Sequence, residues 1–222
     1  VLDKNKSAME IAKKGIMPFR EKDGVKNLKK ALKKKIKFYS EPSSFISDST
    51  VVITVGTPVD NFLNPDMRQI KECIDSLIPY LKKGQLIILR STVYPGTSDW
   101  LYKYLFKKKK CDIAFCHERV IQGYTFDEIE KLPQIIAASS KTALKRATLI
   151  FKKISKKIVY CSLKEAEFSK LFSNSFRYAQ FAIANEFYML ADKAGLDFNK
   201  IRKITKDGYP RAESLPSAGF AA

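Results

Sequence analysis

Apolar residues recur at helical spacing through one uninterrupted stretch, Lys164 to Lys193, which holds no proline and no glycine. Phe168, Leu171, Phe172, Phe176, Ala179, Ile183, Phe187 and Leu190 make one stripe. Lys170, Asn174 and Arg177 make a second, polar stripe at i, i+4 and i+7. The pattern predicts a single helix which, at about 1.5 Å rise per residue, is roughly 45 Å long, more than one domain needs. It is expected to bury its apolar face and to present a cation and an amide to a cleft. An ordinary solvated polar face is the competing reading. Against it, Asn174 lies between Ser173 and Ser175, a weak helical run inside a strong one, which suggests side chains kept for another purpose.

Before that stretch the period switches repeatedly. Strand-like runs are expected at Val1–Asp3, Ile36–Tyr39, Thr50–Val55, Gln85–Leu89, Asp112–Cys116 and Lys157–Cys161. Helices are expected over about 6–14, 25–34, 66–82, 97–106 and 142–153, the first stopping at Gly15. Ser47–Ser49 leads into the strand whose VVITV run is of the kind a parallel sheet buries on both faces, and Asn64-Pro65-Asp66 reads as a turn. Strands alternating with helices predict an α/β fold, a Rossmann-like doubly wound parallel sheet followed by the long central helix. Ligands bind such sheets at the carboxyl ends of the strands. That directs attention to Asp3, to Gly56-Thr57-Pro58, to Ser91-Thr92 and to the segment Cys116–Gly123. Asp3 suits either the ribose hydroxyls of an adenosine or an ordinary helix N-cap. Gly56 allows close backbone approach, Thr57, Ser91 and Thr92 offer hydroxyls, and Glu118 stands beside Arg119, an ion pair on the bland reading. The glycine fingerprint GxGxxG is absent.

Composition narrows the alternatives. With 45% hydrophobic residues, 15 Phe and 10 Tyr, the 222 residues support a substantial core. Cys73, Cys111, Cys116 and Cys161 are scattered without a Cys-x-x-Cys pair, so reduced buried thiols are expected and a metal site is not; the lone His117 reads as structural. No apolar run reaches the length of a membrane span and no leader-like segment opens the sequence, which reads as a cytoplasmic chain. The net charge of +18 comes in lysine blocks, KNLKKALKKKIK, KKKK and KKISKK. These lack the arginine forks and aromatic platforms of nucleic-acid readers, so a solvated lysine-rich surface is the expectation, with attraction for anionic small molecules the next reading and nucleic acid the last.

Read together, VGTPVDNFLNPDMRQI (55–70), RSTVYPGT (90–97), CHERVIQG (116–123), EAEFSKLFSNSFR (165–177) with ANE (184–186), and YPR (209–211) resemble the UDP-glucose/GDP-mannose dehydrogenase family, the NAD-dependent nucleotide-sugar 6-dehydrogenases. The C-x-E-R form leans toward its UDP-N-acetylhexosamine group. The resemblance covers nearly the whole chain. It implies an NAD-binding domain over 1–162, then a central helical and dimerisation region with the start of a substrate loop over 163–222. The implied cofactor is NAD, with Asp3 on the ribose and Gly56, Thr57, Pro58, Ser91 and Thr92 along the cofactor. Glu118 is implied to help water attack, Lys170 to stabilise oxyanions, and Asn174 to hold a sugar hydroxyl or a water. Arg119, Val120, Arg177, Arg211 and the loop Leu215–Phe220, with Ser217 in it, are implied to grip the nucleotide sugar. The implied reaction carries a primary alcohol to a uronic acid in two hydride transfers, through a cysteine-bound thiohemiacetal and thioester, in a homodimer paired through the central helix.

By the same resemblance the family's first strand and fingerprint precede Val1, and its catalytic cysteine and C-terminal domain follow Ala222. The sequence is therefore expected to be part of a longer enzyme, inactive alone, and none of its four cysteines is nominated as the nucleophile. Two rivals stand. A β-hydroxyacid dehydrogenase shares the Rossmann domain, the long helix and a helix-borne Lys…Asn pair, but not the GTP…PD and CHER segments. A lysine-rich nucleic-acid-binding protein leaves Glu118 and the strand-end loops unexplained.

Overall fold

The structure is a computed structural model that describes residues 1–43, 46, 50–59 and 66–220. The expected lead-in Ser47–Ser49 and the Asn64-Pro65 part of the expected turn lie outside the described residues. The chain divides into two compact units, Val1–Phe168 and Ser169–Ala222.

Helices α1 (Lys6–Lys13), α2 (Gly24–Lys33), α3 (Arg68–Leu77), α4 (Thr97–Lys109), α5 (Thr125–Glu128) and α6 (Lys141–Phe151) belong to the first unit. So do five strands, β1 (Val51–Ile53), β2 (Leu86–Leu89), β3 (Asp112–Phe115), β4 (Gln134–Ala138) and β5 (Ile158–Tyr160), hydrogen-bonded in that spatial order. β2 is apolar throughout and wholly buried, because its side chains alternate between two covered faces. Ile87 and Leu89 pack with Ile70, Ile74, Leu101, Leu105, Ile113 and Phe115 in one layer, to which α3 and α4 contribute. Leu86 and Ile88 pack with Ala114, Ile136, Ala143, Ala147 and Phe151 in the other, closed by α6. Each Leu, Ile or Phe side chain so taken from water stabilises the fold by about 1.5–3 kcal/mol, which makes β2 the axis of the unit.

Three expectations are corrected. The sheet is mixed rather than wholly parallel: β4, which the strand pattern did not foresee, runs antiparallel to β3, with Phe115 opposite Ala137. The VVITV strand is shorter than expected and is not buried on both faces. Its pairing is with β2 (Val52 opposite Ile88), and Val52 is 48% exposed. The predicted strands at Val1–Asp3 and Ile36–Tyr39 reduce to one parallel bridge, Leu2 to Tyr39, outside the five-stranded sheet.

Helix α7 (Leu163–Lys193) begins in the first unit and supplies most of the second, followed by α8 (Phe198–Lys206). The buried core of the second unit is Ala184, Ala191 and Phe198, with Ala218 packed against it. Asp197 caps α8, accepting from the amide of Asn199 at 2.8 Å. The segment after α8 is fastened back by side chains. Asn185 exchanges two hydrogen bonds with Gly219 at 2.8 and 3.0 Å, and Arg202 Nε donates to Leu215 O at 3.0 Å. Here the fourth correction falls: the apolar stripe does not form a buried face. Phe172 and Phe176 are 66% and 65% exposed, whereas Lys170, Asn174 and Arg177 are all half-buried. The buried core of this unit is built from Ala184, Ala191 and Phe198 rather than from the stripe. Among the described residues no helix is long and apolar enough to cross a membrane.

Candidate active site

The carboxyl ends of β2 and β3 are joined by one side chain that the strand-end inspection passed over. Arg90 follows the all-apolar β2 and is largely buried. Its Nη1 donates to Cys116 O and to Gln134 Oε1, both at 3.1 Å, and its guanidinium lies 5.1 Å from the centroid of the Phe151 ring. Its Nη2 forms an ion pair with Glu118. The carboxylate that sequence adjacency put beside Arg119 is thus held by Arg90, while Arg119 Nη1 turns to Pro133 O at 3.2 Å. The second oxygen of Glu118 accepts from the amides of Arg119 at 2.7 Å and Val120 at 3.1 Å. Burial lowers the Arg90 pKa from its ordinary value.

The hydroxyls nominated for a cofactor divide into two kinds. Ser91 Oγ donates to Val55 O at 2.6 Å and Thr57 Oγ1 to Thr92 O at 2.5 Å, so both tie the end of β2 to the segment after β1. Thr92 Oγ1 is half-buried and makes no hydrogen bond among the described residues. Gly56 does not adopt the left-handed backbone that demands glycine, and among the described residues a Cβ there meets only Gln69 Oε1 at 3.4 Å. Pro58 is exposed beside it.

Asp3 is not the N-cap that was its alternative. Asn5 caps α1 by accepting from Ala8 N at 3.0 Å, and Asp3 Oδ1 accepts from Asn5 N at 2.8 Å. Asp3 Oδ2 has no partner among the described residues.

The loop Ser91–Thr97 is fixed from α7 by a residue the helical reading overlooked. Glu167 is fully buried, and its two oxygens accept from Gly96 N and Ser98 N, each at 2.7 Å. A carboxylate at the start of α4 meets the helix dipole and satisfies two of its unpaired donors. The signal was its spacing, three and seven residues before Lys170 and Asn174, which places Glu167 on the polar stripe of the helix. Glu21 plays a similar part for the segment after CHERV, accepting from Gly123 N at 3.0 Å and Thr125 N at 2.7 Å.

Burial pushes the Cys116 thiol up to about 12 and also raises Cys73, Cys111 and Cys161. His117 is buried with its ring 5.4 Å from that of Phe115. Among the described residues no group of three His, Cys, Asp or Glu could hold a metal ion.

In the second unit Lys170, Asn174 and Arg177 share one face of α7, and Ser173 bonds back to Lys170 O at 2.9 Å. Arg177 Nε is buried without a hydrogen-bond partner among the described residues. Arg211 stacks on Tyr209 with 5.0 Å between guanidinium and ring centroid. Leu215 is half-buried, Ser217 is exposed, and Phe220 is 94% exposed beside the clamped Gly219.

Thr92 Oγ1 and Asp3 Oδ2 thus keep unused hydrogen-bonding capacity among the described residues. Comparison with known proteins makes the class specific. Residues 1–155 match the NAD binding domain of the UDP-glucose/GDP-mannose dehydrogenase family, and residues 164–221 match that family's central domain. The UDP-N-acetyl-D-mannosamine dehydrogenase of Methanocaldococcus jannaschii is 33% identical over 168 residues, covering 74% of this chain and 39% of the archaeal protein. That of Methanococcus vannielii is 31% identical over 169 residues, with the same 74% and 39% covered. The solved UDP-D-ManNAc dehydrogenase from Pyrococcus horikoshii superposes with a TM-score of 0.86 at 25% identity, over 98% of this chain and 53% of that one. The chain belongs to the UDP-glucose/GDP-mannose dehydrogenase family, and NAD is the cofactor of its first domain. It spans about two fifths of the length of the curated relatives it matches.

Proposed function

We propose that this chain supplies the NAD-binding and central parts of an enzyme that oxidises the C6 primary alcohol of a UDP-N-acetylhexosamine to the uronic acid in two hydride transfers. The observation that carries this is the pairing, at neighbouring strand ends of a family NAD domain, of an anchored carboxylate, Glu118, with an open hydroxyl, Thr92. The two relatives compared above are UDP-N-acetyl-D-mannosamine dehydrogenases, which supports a UDP-N-acetylhexosamine over UDP-glucose or GDP-mannose.

NAD supplies the hydride acceptor. Asp3 holds the ribose hydroxyls through its free oxygen, while Gly56, Thr57, Pro58, Ser91 and Thr92 form the cofactor side of the strand ends. Lys170 offsets negative charge on the oxygen at the reacting carbon. Asn174 orients a sugar hydroxyl or a water, and Glu118 accepts a proton as water attacks in the last step. Arg119, Val120, Arg177, Arg211, Leu215, Ser217 and Phe220 hold the nucleotide sugar; the unpartnered Arg177 Nε suits a phosphate oxygen. The exposed apolar stripe of α7 pairs two copies of the enzyme.

The test is NADH formation by the polypeptide extended to its relatives' length, with UDP-N-acetylmannosamine, UDP-N-acetylglucosamine, UDP-glucose and GDP-mannose offered separately. The proposal expects the acetylated UDP sugars to be preferred. Absence of NADH with every nucleotide sugar contradicts it.

A further inference from the structure

Arg90 is a charged side chain that the proposed chemistry does not use, yet it is sheltered at the carboxyl end of β2. Burying a guanidinium is costly unless its donors are satisfied. Here three of them are met, by acceptors on three separate segments: Cys116 O at the end of β3, Gln134 Oε1 at the start of β4, and the Glu118 carboxylate in the loop. The face of Phe151 closes one side of the group. A planar fork with five donors can serve these acceptors together; a point-charge ammonium cannot.

The consequence falls on Glu118. A carboxylate offers about four acceptor positions. Arg119 N and Val120 N take two through Oε1, and Arg90 Nη2 takes one through Oε2. One position remains, on a group whose two oxygens are both held in place. We propose that Arg90 is the positioning residue of Glu118: it fixes the carboxylate at the strand ends and leaves it room to orient a single water or substrate hydroxyl. The proposal rests on the functional reading above for what Glu118 does, and on the contacts alone for how Glu118 is held.

The two parts are separable by experiment. In the extended enzyme, R90M lowers kcat by about 100-fold, the scale of an ångström-sized misplacement of a reacting group, and leaves the KM for NAD unchanged. R90K, which retains the cation but not the fork, recovers about 10-fold of that loss. On the 222-residue chain, amide hydrogen exchange at Arg119 and Val120 speeds up in R90M and stays near the parent rate in R90K. Unchanged kcat in R90M overturns the positioning role, as does a parallel loss of kcat and NAD affinity without rescue by lysine. Unchanged exchange at both amides overturns the anchoring itself. If R90M does not fold, R90K decides: parent kcat in that variant overturns the proposal, and a loss of about 10-fold at constant NAD KM supports it. If the parent enzyme reduces no NAD with any nucleotide sugar but the exchange results hold, the anchoring stands and the functional reading falls.

Discussion

The two units of the chain treat polar and apolar groups in opposite ways. In the sheet unit every large residue of β2 is buried, and charges taken inside are matched, Arg90 by three acceptors and Glu167 by two backbone amides. In the helical unit Phe172, Phe176, Leu190 and Ile204 are each about two-thirds exposed, while Lys170, Asn174 and Arg177 are sheltered. The first is the pattern of a finished core. The second leaves an apolar face uncovered and a polar one sheltered, the contrast on which the pairing and the chemistry proposed above rest.

That contrast can be broken or sharpened by substitution. The largest effect is expected at the sheltered stripe, where K170A in the extended enzyme should lower kcat by about 10²–10³-fold with NAD affinity unchanged. An unchanged rate would return the stripe to an ordinary polar face. Next comes the closed side of the contrast. E167A leaves Gly96 N and Ser98 N without an acceptor and should destabilise the sheet unit by about 3 kcal/mol in urea unfolding followed at Trp100. E167Q, which retains an acceptor oxygen, should lose less. On the open side, F176D should weaken self-association by about 100-fold in sedimentation. Identical sedimentation of F176D and parent would show that the stripe is not the pairing surface. The smallest effect is expected at the tail, where N185A removes two bonds to Gly219 and should raise the KM for the nucleotide sugar by about 10-fold, worth about 1.4 kcal/mol. A KM equal to the parent's would detach that clamp from substrate binding.

How far the sequence was legible depended on whether the informative signal was local. β2 and β3 were plain from unbroken apolar runs, and α1 from the glycine that ends it, Gly15 at φ 77°. β4 carried a similar run, QIIAA between Pro133 and Ser139, but its antiparallel direction depends on pairing with β3, which hydrophobicity does not encode. Asp3 was read as either a cap or a ribose ligand because spacing alone does not distinguish it from Asn5, two residues on. Glu118 was recognised, but its partner was not: Arg119 adjoins it in sequence, whereas Arg90 reaches it from the neighbouring strand. Helical periodicity located the stripe of α7 correctly and could not say what covers it, because period describes a face and not its partner.

The most direct measurement of the central claim is the yield of NADH per molecule of UDP-N-acetylhexosamine consumed to completion by the extended enzyme. The account predicts two NADH and one uronic acid for each sugar. One NADH per sugar, with an aldehyde as the product, would contradict the two-hydride reaction.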